Sequence, residues 1–115
     1  MKLIRKAVVL GDAMIPNSLF TEPFKTYMDS YVEHSIIDNW ESDWQKLQHR
    51  RLEVEKRGPE IESVPEQIAK QGQDAEILMG LFVPVSSKVM DKMPSLRIIG
   101  VCRAGLENVN VEEAT

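Results

Sequence analysis

The chain has 115 residues, 43% of them hydrophobic and 28% charged, and a formal net charge of −4. That length holds at most one small domain, and the apolar share is enough for a real core. The acidic balance excludes an electrostatic nucleic-acid binder, and the single cysteine, Cys102, excludes a disulfide framework and suits a reducing compartment.

The amino terminus, Met1-Lys-Leu-Ile-Arg-Lys6, is basic, but the apolar run over residues 7–10 is too short for a signal peptide. No run approaches a membrane span, so a soluble cytoplasmic protein is expected. Lys6-Ala-Val-Val-Leu10, ended by Gly11-Asp12, predicts a strand covered on both faces. Phe20, Phe24, Tyr27, Met28 and Tyr31 recur at helical spacing and predict an amphipathic helix with Pro23 in its first turn. Residues 33–38 predict a second strand. A second helix follows, with Ser42 as its N-cap in a capping box with Gln45. Its apolar side is Trp40, Trp44, Leu47 and Val54, and Gly58-Pro59 stops it. Residues 64–71 predict a short helix, residues 75–83 a third strand, 86–93 a short helix and 96–101 a fourth strand. Residues 56–65, rich in charge, Gly and Pro, are the expected mobile loop.

This order, with uniformly apolar strands, predicts an α/β fold: a flavodoxin-like open parallel sheet of about four strands with helices on both faces. At the end, Asn110 is an N-cap with Glu113 three residues on, and the helix so begun runs for about one turn. A helix that short is unstable alone, so a truncated domain is expected.

Sites in such sheets lie at the carboxyl ends of strands, which selects residues 11–17, 38–42, 82–86 and 102–107. No two of the six glycines stand two apart, so no dinucleotide fingerprint is present and no cofactor-binding residue is assigned. Arg103, at the end of the fourth strand, has the chemistry to clamp a carboxylate or phosphate with two hydrogen bonds. Ala104 and Gly105 beside it are small enough to expose backbone N–H groups to an anion; the competing reading has Arg103 paired with a surface carboxylate and Gly105 serving the turn. Asp12 reads as a helix cap or turn residue, because a receiver-type site would need a further Asp and a Lys that have no counterpart. His34, His49 and Cys102 have no metal-ligand spacing, and Cys102 is expected to be a buried inert thiol. Arg50, Arg51 and the following acidic residues read as a solvated helix face, and Trp40 and Trp44 as core or interface anchors.

Leu96-Arg-Ile-Ile-Gly-Val-Cys-Arg-Ala-Gly-Leu-Glu-Asn-Val-Asn110, followed by Val-Glu-Glu-Ala, resembles the segment of NAD-dependent D-2-hydroxyacid dehydrogenases that closes the first half of their substrate domain. The family pattern is a strand, then Gly-x-Gly-x-Asp-Asn-Ile-Asp, then a helix. Gly105 and Asn108 match it, while Arg103, Glu107 and Asn110 replace a Gly and two Asp. Residues 74–84 and 89–94 are similar to the preceding strand, loop and helix. The resemblance implies an enzyme that transfers a hydride between NAD(H) and a 2-hydroxy or 2-keto acid. Residues 1–115 would be the amino-terminal part of its substrate domain, without the nucleotide-binding domain. The catalytic Arg, His and acidic residue would lie beyond residue 115, leaving the chain inactive alone.

The resemblance puts Arg103, Ala104 and Gly105 at the substrate carboxylate. It also puts Phe82 and Val83 on a substrate-facing loop that is apolar here, which argues against a phosphorylated substrate; their competing reading is that they finish the strand and pack on the core. The alternative function is a stand-alone flavodoxin-like module that binds a small carboxylate or regulates. No metal, nucleic-acid or membrane partner is expected. An open strand edge predicts a homodimer or other self-association, which a strict monomer in light scattering would count against.

Overall fold

Apolar, β-branched runs make strands that can be covered on both faces, and β1 (Ile4–Asp12) is one: Ala7, Val8, Val9 and Leu10 are all fully buried. A computed structural model of the protein describes residues 4–19, 31–102 and 107–115. The helix expected from Phe20 falls on residues 20–30, outside the described residues. Within them, β1 is followed by β2 (Val32–Glu41), α1 (Trp44–Arg57), a 3-10 turn (Pro59–Ile61), α2 (Glu66–Gln71), β3 (Ile77–Gly80), α3 (Ser87–Lys92), β4 (Ile98–Val101) and α4 (Val111–Ala114).

The four strands form one sheet in the order β2-β1-β3-β4, with every pair parallel. This is the flavodoxin-like order, as expected. Alternation along β1 divides the core. Val8 and Leu10 lie with Leu78 of β3, Ile68 of α2 and Val89 of α3; Ala7 and Val9 lie on the other face with Val32 and Ile77. A third group, Leu47, Leu81 and Phe82, joins α1 to the segment after β3.

Three local expectations change. The N-cap of α1 is Asp43, whose Oδ2 accepts from the Lys46 N–H at 2.8 Å; Ser42 Oγ instead accepts from Asn39 Nδ2 at 3.1 Å. A carboxylate caps as well as a hydroxyl and also faces the positive end of the helix. Trp44 is 51% exposed and so is no core anchor. The third strand ends at Gly80 instead of Val83, because residues 81–85 turn away to meet two other loops. At the other end of α1, Gly58 adopts φ 89°, a conformation that suits glycine, and its N–H donates to Val54 O at 2.7 Å.

Residues 56–65, expected to move, are tied at two points. Arg50 holds Glu62 with Nε and Nη2 and Glu41 with Nη1, at 3.1 Å for the latter, while its guanidinium lies 4.0 Å from the Trp40 ring centre. Burial opposes this charge, but the bonds and charges of Glu62 and Glu41 outweigh it and raise the Arg50 pKa. It is therefore a bridge between β2 and the 3-10 turn, not part of a purely solvated face. Arg51 with Glu55 and Arg57 with Glu53 do form the expected i,i+4 pairs.

Glu60 accepts from the Ser87 N–H and O–H, each at 2.6 Å, and from Asn110 Nδ2 at 3.0 Å. The Ser87 hydroxyl, then Asn110 and the Ser87 backbone, hold its carboxyl below the ordinary 4.5. A depressed carboxyl contributes stability that is complete above 4.5 and lost as pH falls through the lowered value. Glu60→Gln is expected to cost up to about 1 kcal/mol at neutral pH, small because the group is exposed, with the gap to wild type closing in acid. Chemical denaturation across that window checks it, and a gap constant with pH would contradict it.

Candidate functional site

In an open parallel sheet the crevice forms outside the carboxyl ends of strands whose connections diverge. In β2-β1-β3-β4 those strands are β1 and β3. The register of β1 on β2 slips between Gly11 and Asp12, and such an irregularity re-aims the next side chain. Asp12 is fully buried. Its Oδ1 accepts from Met14 and Ile15 N–H groups at 2.9 and 3.0 Å, and its Oδ2 accepts from the Phe82 N–H at 3.2 Å. Asp12 is thus the turn residue that was expected, and in addition a staple from the end of β1 to the segment after β3.

The same segment is held from the other side. Asn108, 1% exposed, donates through Nδ2 to Leu81 O at 3.1 Å and Val83 O at 2.8 Å. Val85 and Val109 form a parallel bridge, with Val85 N–H on Asn108 O at 2.7 Å and Asn110 N–H on Val85 O at 2.9 Å. Asn110 Oδ1 caps α4 by accepting from the Glu113 N–H at 3.1 Å, as its spacing predicts. Residues 12–15, 81–85 and 107–110 therefore form one hydrogen-bonded rim along the carboxyl ends of β1, β3 and β4.

Of the residues selected from sequence, Phe82 and Val83 lie in this rim. Val83 is 1% exposed and packs in the core with Leu10 and Val85; Phe82 is buried against Leu47 and Leu81, with the Arg51 guanidinium 5.3 Å from its ring centre. Arg103, Ala104 and Gly105 lie outside the described residues. Cys102 is exposed, not buried as expected: its N–H donates to Gly80 O at 2.9 Å and finishes the ladder, leaving the side chain outside the core. His34 and His49 are exposed. Among the described residues, no three His, Cys, Asp or Glu side chains gather to hold a metal ion, and no helix is long and apolar enough to cross a membrane.

Among the described residues, the turn after β1 does not offer its donors to a dinucleotide. Asp12 already takes the N–H groups of Met14 and Ile15, so those donors at the first strand–loop turn are not directed at a pyrophosphate. Elsewhere, a groove of about 470 Å³ runs beside β4, lined by Met90, Met93, Leu96, Ile99, Val109 and Val111, with Arg97 and Glu113 its charged members. Its apolar walls suit packing better than polar recognition.

Sequence reasoning missed the reach of Asp12 to Phe82 and the double donation by Asn108. An acidic residue directly after a strand was the visible sign of the first. Asn108 was visible only as a motif position.

Residues 22–115 match the family model described as D-isomer specific 2-hydroxyacid dehydrogenase, catalytic domain. No curated protein and no solved structure matches the chain.

Proposed function

We propose a reading that starts from one premise: the chain belongs to the D-isomer specific 2-hydroxyacid dehydrogenase family. In this reading residues 1–115 are the amino-terminal part of a substrate domain in a cytoplasmic oxidoreductase. The parent enzyme transfers a hydride between NAD(H) and a 2-hydroxy or 2-keto acid, and the nucleotide-binding domain is not among these residues. The observation that carries it is the match of residues 22–115 to the catalytic-domain model, on a sheet of the 2-1-3-4 order. The filled turn after β1 supports a division of labour in which this chain serves the acid and another domain serves the dinucleotide.

Arg103, with the N–H groups of Ala104 and Gly105, is assigned to the substrate carboxylate, while Phe82 and Val83, whose side chains pack in the core, shape the segment that borders the same site. Association between copies would use the groove beside β4. The test is titration of the ¹⁵N-labelled chain with 2-keto acids, alongside a nicotinamide oxidation assay. Saturable shifts at residues 81–85 and 107–110, without oxidation of NADH, are the expected result. Arg103→Ala is expected to weaken binding about tenfold or more, the worth of one charge-assisted hydrogen bond. Turnover by the chain alone would refute the inactive-fragment reading. Binding of other carboxylates but no 2-keto acid would favour the binding module instead.

A further inference from the structure

One peptide unit in the rim is gripped at both of its polar groups by side chains from distant parts of the chain. The Phe82 N–H donates to Asp12 Oδ2 at 3.2 Å, and the Leu81 C=O of the same unit accepts from Asn108 Nδ2 at 3.1 Å. The other Nδ2 hydrogen of Asn108 goes to Val83 O at 2.8 Å. Both donors of one carboxamide are thus spent on two carbonyls, two residues apart, of a single segment. Asn108 Oδ1 is buried with no hydrogen-bond partner among the described residues. A buried acceptor left unpaired is costly and rare in folded proteins. A side chain kept only for packing would avoid that loss, so the two donors are what the position requires.

We propose that Asn108 is the positioning residue of the acid-binding rim: it sets residues 81–83 against residues 107–110, so that these two segments meet a ligand in one fixed geometry. This rests on the reading of those loops as the 2-keto acid site. Leucine at 108 has the same branching and number of side-chain heavy atoms, with a larger volume and no donor, so Leu81 O and Val83 O would lose their partner. Aspartate has the same shape but turns a carboxylate oxygen toward two carbonyl oxygens, and regains a single O–H donor only when protonated.

The ¹⁵N-labelled 115-residue chain is titrated with pyruvate as the probe, in wild type, Asn108→Leu and Asn108→Asp, with amide exchange followed on the same samples. In Asn108→Leu the expected result is about tenfold faster exchange at Phe82, unchanged exchange at Val8, Val9 and Leu78, and pyruvate affinity lower by about tenfold or more. In Asn108→Asp, affinity is weak at neutral pH and recovers in part as the carboxyl protonates. If Asn108→Leu does not fold, that acid recovery decides, because its presence supports the proposal and its absence overturns it. Wild-type affinity in a folded Asn108→Leu overturns the positioning role and leaves the site reading standing. No saturable shift in the wild type with pyruvate or any other 2-keto acid overturns the site reading, and the positioning role with it.

Discussion

Asp12→Ala is expected to destabilise the protein by about 3 kcal/mol or more, because three backbone donors lose their acceptor at once. Met14 and Ile15 N–H groups can turn partly to water, since they are only part-buried; the Phe82 N–H is buried and cannot. The lost contribution is a large fraction of the roughly 5–15 kcal/mol that holds a small domain together. The damage should spread along the rim, since Phe82 is also the point at which α1 meets the sheet through Leu47. Asp12→Asn is the informative companion. Its Oδ1 can keep Met14 and Ile15, but an NH2 group then opposes the Phe82 N–H, so a loss between wild type and alanine is expected. Urea denaturation monitored by tryptophan emission measures both, and a loss under about 1 kcal/mol for alanine would show that the staple carries little weight.

The second large effect is expected at Gly11. A Cβ built there meets Asn17 N at 2.4 Å, Asn39 Oδ1 at 2.7 Å and Ile15 O at 2.7 Å. Two of these are backbone atoms, and the third is the acceptor of the Asn17 N–H bond at 2.8 Å. None is the free end of a flexible side chain, so Gly11→Ala must push residues 12–17 off the end of β1. A cost of about 3 kcal/mol is expected, from strain together with the broken Asn17–Asn39 bond. Amide exchange should show protection lost first at Met14, Ile15 and Phe82, the three donors to Asp12. A variant with wild-type stability and protection would mean that the loop accommodates a methyl group by moving freely.

The sheet was legible because its strands are written in uninterrupted apolar runs. Ala7 to Leu10 are buried on both faces, and a run of that kind has few other homes in a small α/β domain. Helix ends were legible wherever a cap is a matter of short-range chemistry, as at Gly58 and Asn110. The one-residue shift from Ser42 to Asp43 arose because two adjacent side chains can both cap, and only the bond of Ser42 to Asn39 decides between them. Cys102 is exposed where a buried thiol was expected, because it follows the last residue of β4, Val101, and stands in the loop beyond the sheet.

What was not legible depends on partners far away in sequence. Nothing local in a charged stretch tells that Arg50 reaches back to Glu41 and forward to Glu62, or that Glu60 lies at the start of α3. The candidate site shares this property. Its loops could be selected from topology alone, but the bonds that join them run from residue 12 to residue 82 and from residue 108 back to residues 81 and 83.

The place of β1 in the sheet also orders the assembly of the molecule. Val8 pairs with Ile36 on one side and with Leu78 on the other, so the central strand exists early in synthesis and gains its second neighbour late. The pairing with β3 closes slowly, because most of the chain must be collected before it is rewarded. Until β3 arrives, one edge of β1 stays open to chance strand pairing and Asp12 has no Phe82 N–H to accept, a bond that spans 70 positions. The rim therefore closes among the last events of folding, and a chain arrested earlier would hold a β1–β2 ribbon with no site on it.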